Sequence, residues 1–369
     1  MIGLHGLVFA YETRPNLKEL VTVRTSASVP FGGRYRAIDF ALSNLQDAGC
    51  KDVGILVHGK YQSLIDHVGT GKTWDMSRVR GGLRILPPFN LDTKHYGTFR
   101  GKMEALAGIE EYIRNIRQDY VVLMEGDLVT NLPLKKVLDA HIASAADVTC
   151  VCGDDSFYVD NGTYFETDTD GKVKDVLVNI HTPRGRRGLG VYIMSTKQLI
   201  KFVEDCTAHD KYSLAHDVLQ ANKDKLNIRT FIWDGYAAQI RSVKEYYDRS
   251  MQLLDPDIRK DLFCEERQIS AKSAARSSSF ILPGGSIRNS IVADGCVIEG
   301  TVENSILFAG AKIGKGAVIS NCVLGQDIEV GDGAELRHII ADKDVKISEG
   351  QTILGSASYP IVVSKGSTV

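Results

Sequence analysis

The run from Ser28 to Asn44, SVPFGGRYRAIDFALSN, carries residue types suited to holding a phosphate. Pro30 and the pair Gly32–Gly33 spell a tight turn whose backbone N–H groups can face a ligand. Arg34 and Arg36 offer cations to phosphate oxygens, and Asp39 is placed to cap or brace a following helix. A strand-to-helix turn with solvated arginines would use the same residues. A second basic set, TPRGRRG at 182–188, offers Arg184, Arg186 and Arg187 as a phosphate-effector candidate, for which a solvated loop is the plainer alternative. Asp127, in EGDLV, closes an apolar run. A carboxylate there would sit at the carboxyl end of a buried strand, where ligands and metal ions gather in open α/β sheets. A simple turn residue would occupy the same place.

The elements that must position these residues follow from the hydrophobic pattern. DVGILVHG (52–59), YVVLMEGD (120–127) and DVTCVCG (147–153) are short, β-branched and bounded by turn residues, as buried parallel strands are. YRAIDFALSNLQDAG (35–49) and GKMEALAGIEEYIRNI (101–116) carry apolar residues at helical spacing, and LGVYIM followed by TKQLIKFVEDC adds a strand–helix pair. Alternation of this kind predicts a Rossmann-like α/β domain with a mostly parallel sheet over residues 1–255. A polar, Ser-rich linker is expected over 256–283. From 284 to 369 aliphatic residues recur six apart, at Ile291 and Val297, at Leu307, Ile313 and Ile319, and at Ile339 and Val345, with slips of phase between the groups. That period, with glycines and small residues at the bends, predicts a hexapeptide left-handed parallel β-helix of triangular section rather than a β-sandwich. Prisms of this kind commonly present faces for association, so an oligomer is expected.

Composition narrows the function classes. The 369 residues are 43% apolar and 24% charged, with a formal net charge of −2. That balance gives no reason to expect nucleic acid or an anionic membrane as partner. No apolar run approaches the roughly 20 residues that span a bilayer, and no signal-peptide pattern opens the chain. Seven scattered cysteines, with Cys150 and Cys152 sharing one strand face, read as reduced thiols of a cytoplasmic protein.

VPFGGRYRAIDFALSN, HVGTGKTWDM, GGLRILPPF, EGDLV and the hexapeptide prism, in this order, resemble the bacterial glucose-1-phosphate adenylyltransferases, or ADP-glucose pyrophosphorylases. The resemblance implies a nucleotidyltransferase fold in which glucose 1-phosphate attacks the α-phosphate of ATP with Mg²⁺, releasing pyrophosphate. Such chemistry needs a glycine loop with an Arg for the triphosphate, a Lys, and two carboxylates for the metal. In the family a loop G-G-x-G-x-R-L follows the first strand and a Lys-Pro precedes the turn. Here the alignment places the loop on Tyr11, Glu12, Thr13, Arg14, Pro15 and Asn16, so Asn16 replaces the loop Arg and Glu12 adds a repelling charge. Ser26 and Ala27 replace Lys-Pro. Asp127 matches the first metal carboxylate, whereas Gln239 stands at the second, and His181 and Thr182 replace the Glu and Lys of the sugar-binding segment. The alternative is Arg14 reaching in from beside the loop.

These departures resemble a branch of the family, the non-catalytic glycogen-biosynthesis subunit. The expectation is a regulatory chain with no cofactor of its own, Mg²⁺ belonging to a catalytic adenylyltransferase partner. The two would form a homo- or hetero-tetramer, in which Gly32, Gly33, Arg34, Arg36 and Asp127 survive as a remnant substrate site. A sugar phosphate or nucleotide is an expected effector. The alternatives are a weakly active adenylyltransferase with a rearranged loop, a ligand sensor using the remnant pocket, and a prism-type acyltransferase. The last lacks a persuasive base, since His338 is the one histidine of the prism.

Overall fold

Strand β1 (Leu4–Phe9) is buried along its whole length, as a strand covered on both faces must be. The computed structural model describes residues 3–11, 14–87, 99–153, 162–180, 182, 184–272 and 275–369. β1 pairs in parallel with β2 (Asp52–Leu56) and β4 (Tyr120–Glu125), and β3 (Leu83–Leu86) extends the sheet beyond β2 as its edge. Side chains alternate across the sheet. Val8, Val122 and Met124 enter one core, while Leu7, Phe9, Val121 and Leu123 enter the other.

Past β4 and the short β5 (Leu128–Thr130), the sheet is completed by β6 (Val148–Cys152), β7 (Thr163–Thr167), β8 (Val173–Val178), β9 (Arg186–Ser195) and β10 (Ile228–Ile232). β9 runs antiparallel to β4, β6 and β7, so the sheet is parallel on one half and mixed on the other. β11 (Ala237–Gln239) pairs antiparallel with β5 in a separate ribbon. Helix α1 (Ala37–Asp47) starts where expected, and Asp39 accepts a hydrogen bond from the Arg36 amide at 2.9 Å. The helical pattern over 101–116 is two short helices, Lys102–Ala107 and Glu110–Arg114, interrupted at Gly108, a residue with poor helix propensity. All seven cysteines are free, and Cys150 and Cys152 share the same core.

Beyond residue 279 three five-stranded parallel sheets form a triangular prism, consistent with a left-handed β-helix. Val297, Lys312, Glu329 and Lys346 pair in succession, so the coils advance by 15, 17 and 17 residues. The full three-hexad coil would be 18, and this shortfall is the physical source of the phase slips. Val302, Ile319 and Leu336 stack inside the prism, each fully buried.

One face of the prism is apolar on its outside as well. Ile306, Val323 and Ile340 point away from the prism core and pack on Leu17, Phe31, Phe40 and Tyr246 of the α/β domain. The segment 256–283 opens as a helix, Pro256–Leu262, capped by Asp255 and anchored in that junction through Leu262. Polar ties reinforce the contact. Arg24 donates both amino groups to Asp342 at 2.8–3.1 Å, and the Tyr247 hydroxyl bonds the Asn321 carbonyl and the His338 ring. No helix among the described residues is long and apolar enough to cross a membrane.

Candidate functional site

β4 delivers Asp127 to the carboxyl end of the sheet, where it is 2% exposed. Its carboxylate is held by protein groups. Arg14 Nε donates to Oδ2 at 2.8 Å and Arg14 Nη2 approaches Oδ1 at 3.5 Å. The Ser26 hydroxyl donates as well. Arg14 can reach because its extended backbone leads into a tight 3₁₀ turn, Pro15–Val21, that Leu17, Leu20 and Val21 pin to the domain junction. Burial alone would raise the Asp127 pKa. The guanidinium and the hydroxyl outweigh it and hold the group below its usual value.

The β5–β11 ribbon sets Gln239 opposite Leu128, the neighbour of Asp127. The Gln239 amide oxygen accepts from Arg187 Nη2 at 3.1 Å and also from Arg241 Nη2. Arg187 is pushed down to about 10 by burial and then by the adjacent Arg241 charge. Arg241 is lowered by burial and then by Arg14. Three guanidiniums thus surround one carboxylate and one amide. Glu125, at the end of β4, is paired with Lys102 at 2.5 Å. This donor set does not suit Mg²⁺, which needs oxygen ligands free of competing cations. Among the described residues no group of three or more His, Cys, Asp or Glu side chains could hold a metal.

The other expected residues do not converge here. Gly32 and Gly33 do form a turn with φ of 62° and 84°, and Gly33 faces the prism. A Cβ on Gly33 would sit 3.5 Å from Ile291 and 3.7 Å from the Leu307 carbonyl. Arg34 is exposed and lies over the Tyr35 ring, while Arg36 donates to Ser63 O and Oγ, both at 2.8 Å. The turn is flanked by Phe31 and Tyr35, which pack in the domain junction. Asn16 is exposed and lines a cleft of about 420 Å³ with Lys18, Ser242 and Tyr359, away from Asp127.

Strand alternation splits the basic set. Arg187 is buried against Gln239, Arg186 is half-buried on the other face, and Arg184 is exposed near Glu166 at 3.9 Å. The three therefore differ in burial and partners, with Arg187 turned to Gln239 and Arg184 to Glu166. Tyr11 packs edge-on to Phe9 and Phe99 at the end of β1. Glu12, Thr13 and His181 lie outside the described residues, and Thr182 is exposed. His338 is a junction residue bonded to Tyr247. Arg241 was not singled out from sequence. Its position two residues after Gln239, on the same side of an extended segment, is the signal that marks it.

A family model described as nucleotidyl transferase matches residues 16–177, and one described as GlmU-like, C-terminal hexapeptide matches residues 274–357. The chain is 36% identical over 319 residues to the glycogen biosynthesis protein GlgD of Geobacillus stearothermophilus, covering 85% of this chain and 82% of that protein. It is 31% identical over 312 residues to the glucose-1-phosphate adenylyltransferase of the same organism, covering 82% and 79%. The GlgD protein of Bacillus subtilis (strain 168) is 32% identical over 313 residues, covering 84% and 81%.

Proposed function

The chain belongs to the family of glucose-1-phosphate adenylyltransferases and GlgD proteins, and from that premise we propose that it is a regulatory, non-catalytic subunit in glycogen biosynthesis. It associates with a catalytic family member that makes ADP-glucose from ATP and glucose 1-phosphate, and it raises that partner's rate. The observation that carries this reading is the Arg14–Asp127 ion pair. Nucleotidyl transfer is driven by positioning and by charge placed on the phosphoryl oxygens, with the metal held by carboxylates. Here a guanidinium takes the carboxylate that would hold the metal, and Gln239 is engaged by Arg187 and Arg241. An ion at Asp127 would have to displace Arg14 and sit among fixed positive charges.

Regulation requires contacts that differ between the partner's more and less active states. The prism packs on the α/β domain through an apolar junction, which gives such contacts a route between the two domains. Titration calorimetry of the isolated chain with ATP, with and without Mg²⁺, tests the reading. The expected result is that Mg²⁺ leaves any ATP binding unstrengthened. Binding that depends on Mg²⁺ and is lost on Asp127→Ala would overturn it.

A further inference from the structure

At the opposite end of the sheet, where β1, β2 and β4 begin, lies a cavity of about 500 Å³, within the range of small-molecule sites. It is separated from the Asp127 end by the six residues of β1, about 20 Å of strand. His5 and Asp52, partners in the β1–β2 register, form its floor, and Arg80, Arg84 and Arg117 stand around it. All three arginines are exposed, and none forms an ion pair with a carboxylate among the described residues. Arg84 lies 6.0 Å from the Tyr112 ring centroid.

Asp52 is the acidic residue of the lining, and it is already satisfied. Oδ1 accepts from the Gly82 amide at 2.7 Å and Oδ2 from Gln118 Nε2 at 2.5 Å. The turn that makes this possible needs its two glycines. Gly81 and Gly82 have φ of +79° and +80°, and a Cβ on Gly81 would stand 2.0 Å from Asp52 Oδ1. The turn therefore wraps the carboxylate and leaves Arg80 and Arg84 flanking one opening.

His5 supplies an independent observation. It is 3% exposed, with Nε2 3.2 Å from the Tyr112 hydroxyl. Nδ1 is buried and makes no hydrogen bond of standard geometry, although Gln118 is close enough to favour the charged ring. Burial dominates and lowers the His5 pKa to about 4, so the ring is neutral at physiological pH. A buried polar atom without a partner costs stability unless something binds it. Net positive charge at the rim and the His5 imidazole on the floor match a phosphate carried on a small polar body.

We propose that this cavity binds a small phosphorylated metabolite, with Arg80, Arg84 and Arg117 gripping the phosphate and His5 Nδ1 bonding a polar group of the ligand. The site is separate from the Asp127 centre, and it stands whether or not the chain is catalytically silent. The test is calorimetric titration of the full chain with inorganic phosphate and pyrophosphate as probes, at about 0.15 M salt to screen diffuse attraction. Arg84→Ala and the double variant Arg80→Ala/Arg117→Ala should each weaken binding about tenfold or more, the loss expected for one charge-assisted bond. His5→Phe keeps the ring and its burial but removes both nitrogens, and it should weaken pyrophosphate binding. If that variant fails to fold, the exposed arginines decide the matter. Arg241→Ala should leave the affinity unchanged. The proposal is overturned if neither probe binds, if the arginine variants bind as the parent does, or if only Arg241→Ala abolishes binding.

Discussion

Arg14 and Asp127 lie 113 residues apart in the chain and form one ion pair, so no local pattern announces their contact. The Asp127 side chain is 3% exposed and that of Arg14 20%. Removing Arg14 leaves a buried carboxylate without its main counter-charge, and Arg14→Ala should cost about 3 kcal/mol. That lies at the low end for breaking a buried pair, because the arginine keeps some water. The pH dependence follows from the direction of the shift. With Arg14 present the folded-state pKa of Asp127 is depressed. The stabilisation is therefore full above about pH 4, the ordinary carboxyl value, and is lost only as pH falls through the depressed one. Without Arg14 burial raises the pKa, and the folded variant takes up a proton as pH falls. The deficit between parent and variant, read by urea unfolding, should be largest near neutrality and shrink toward about pH 4. At this scale the family resemblance placed Asn16 where a loop Arg is expected and Gln239 where a carboxylate is expected. It did not show that Arg14 and Arg241 fill the space, because that depends on a tight turn and on a ribbon between distant strands.

At the scale of elements, the turn at Gly32–Gly33 is a joint between domains. Both residues need positive φ, which any L side chain adopts at a cost. Gly33→Ala should destabilise the protein by about 1 kcal/mol while leaving nucleotide affinity unchanged, measured by urea unfolding and by titration with ATP. A specific loss of ATP binding at unchanged stability would mark the turn as a ligand site. Strands β2, β4 and β6, helix α1 and the prism were legible because each carries a compact apolar run or a hydrophobic period over several residues. Less legible were the break at Gly108 and the direction of β9. The first is a local interruption inside a helical pattern, and the second is fixed by pairing with β4 and β6 rather than by its own residues. The slips in the six-residue period were visible in the sequence. Their cause, coils of 15 and 17 residues, needed the strand register.

The whole molecule is held by a junction that sequence patterns do not encode, since its polar anchor joins residues 318 positions apart. Arg24 and Asp342 are each 5% exposed, and their bidentate pair crosses between the α/β domain and the prism. Asp342→Ala leaves Arg24 buried without its partner and should cost about 3–5 kcal/mol. Scanning calorimetry should then show the two domains unfolding in separate transitions where the parent shows one. A single transition of unchanged midpoint would mean that the apolar face of Ile306, Val323 and Ile340 suffices alone. The central claim concerns what the assembled chain does. It is tested most directly by measuring ADP-glucose formation from ATP and glucose 1-phosphate with Mg²⁺, for this chain alone and mixed with a catalytic family member. The account predicts no turnover alone and a higher rate in the mixture than the catalytic member gives by itself. Turnover by the isolated chain, abolished by Asp127→Ala, would contradict it.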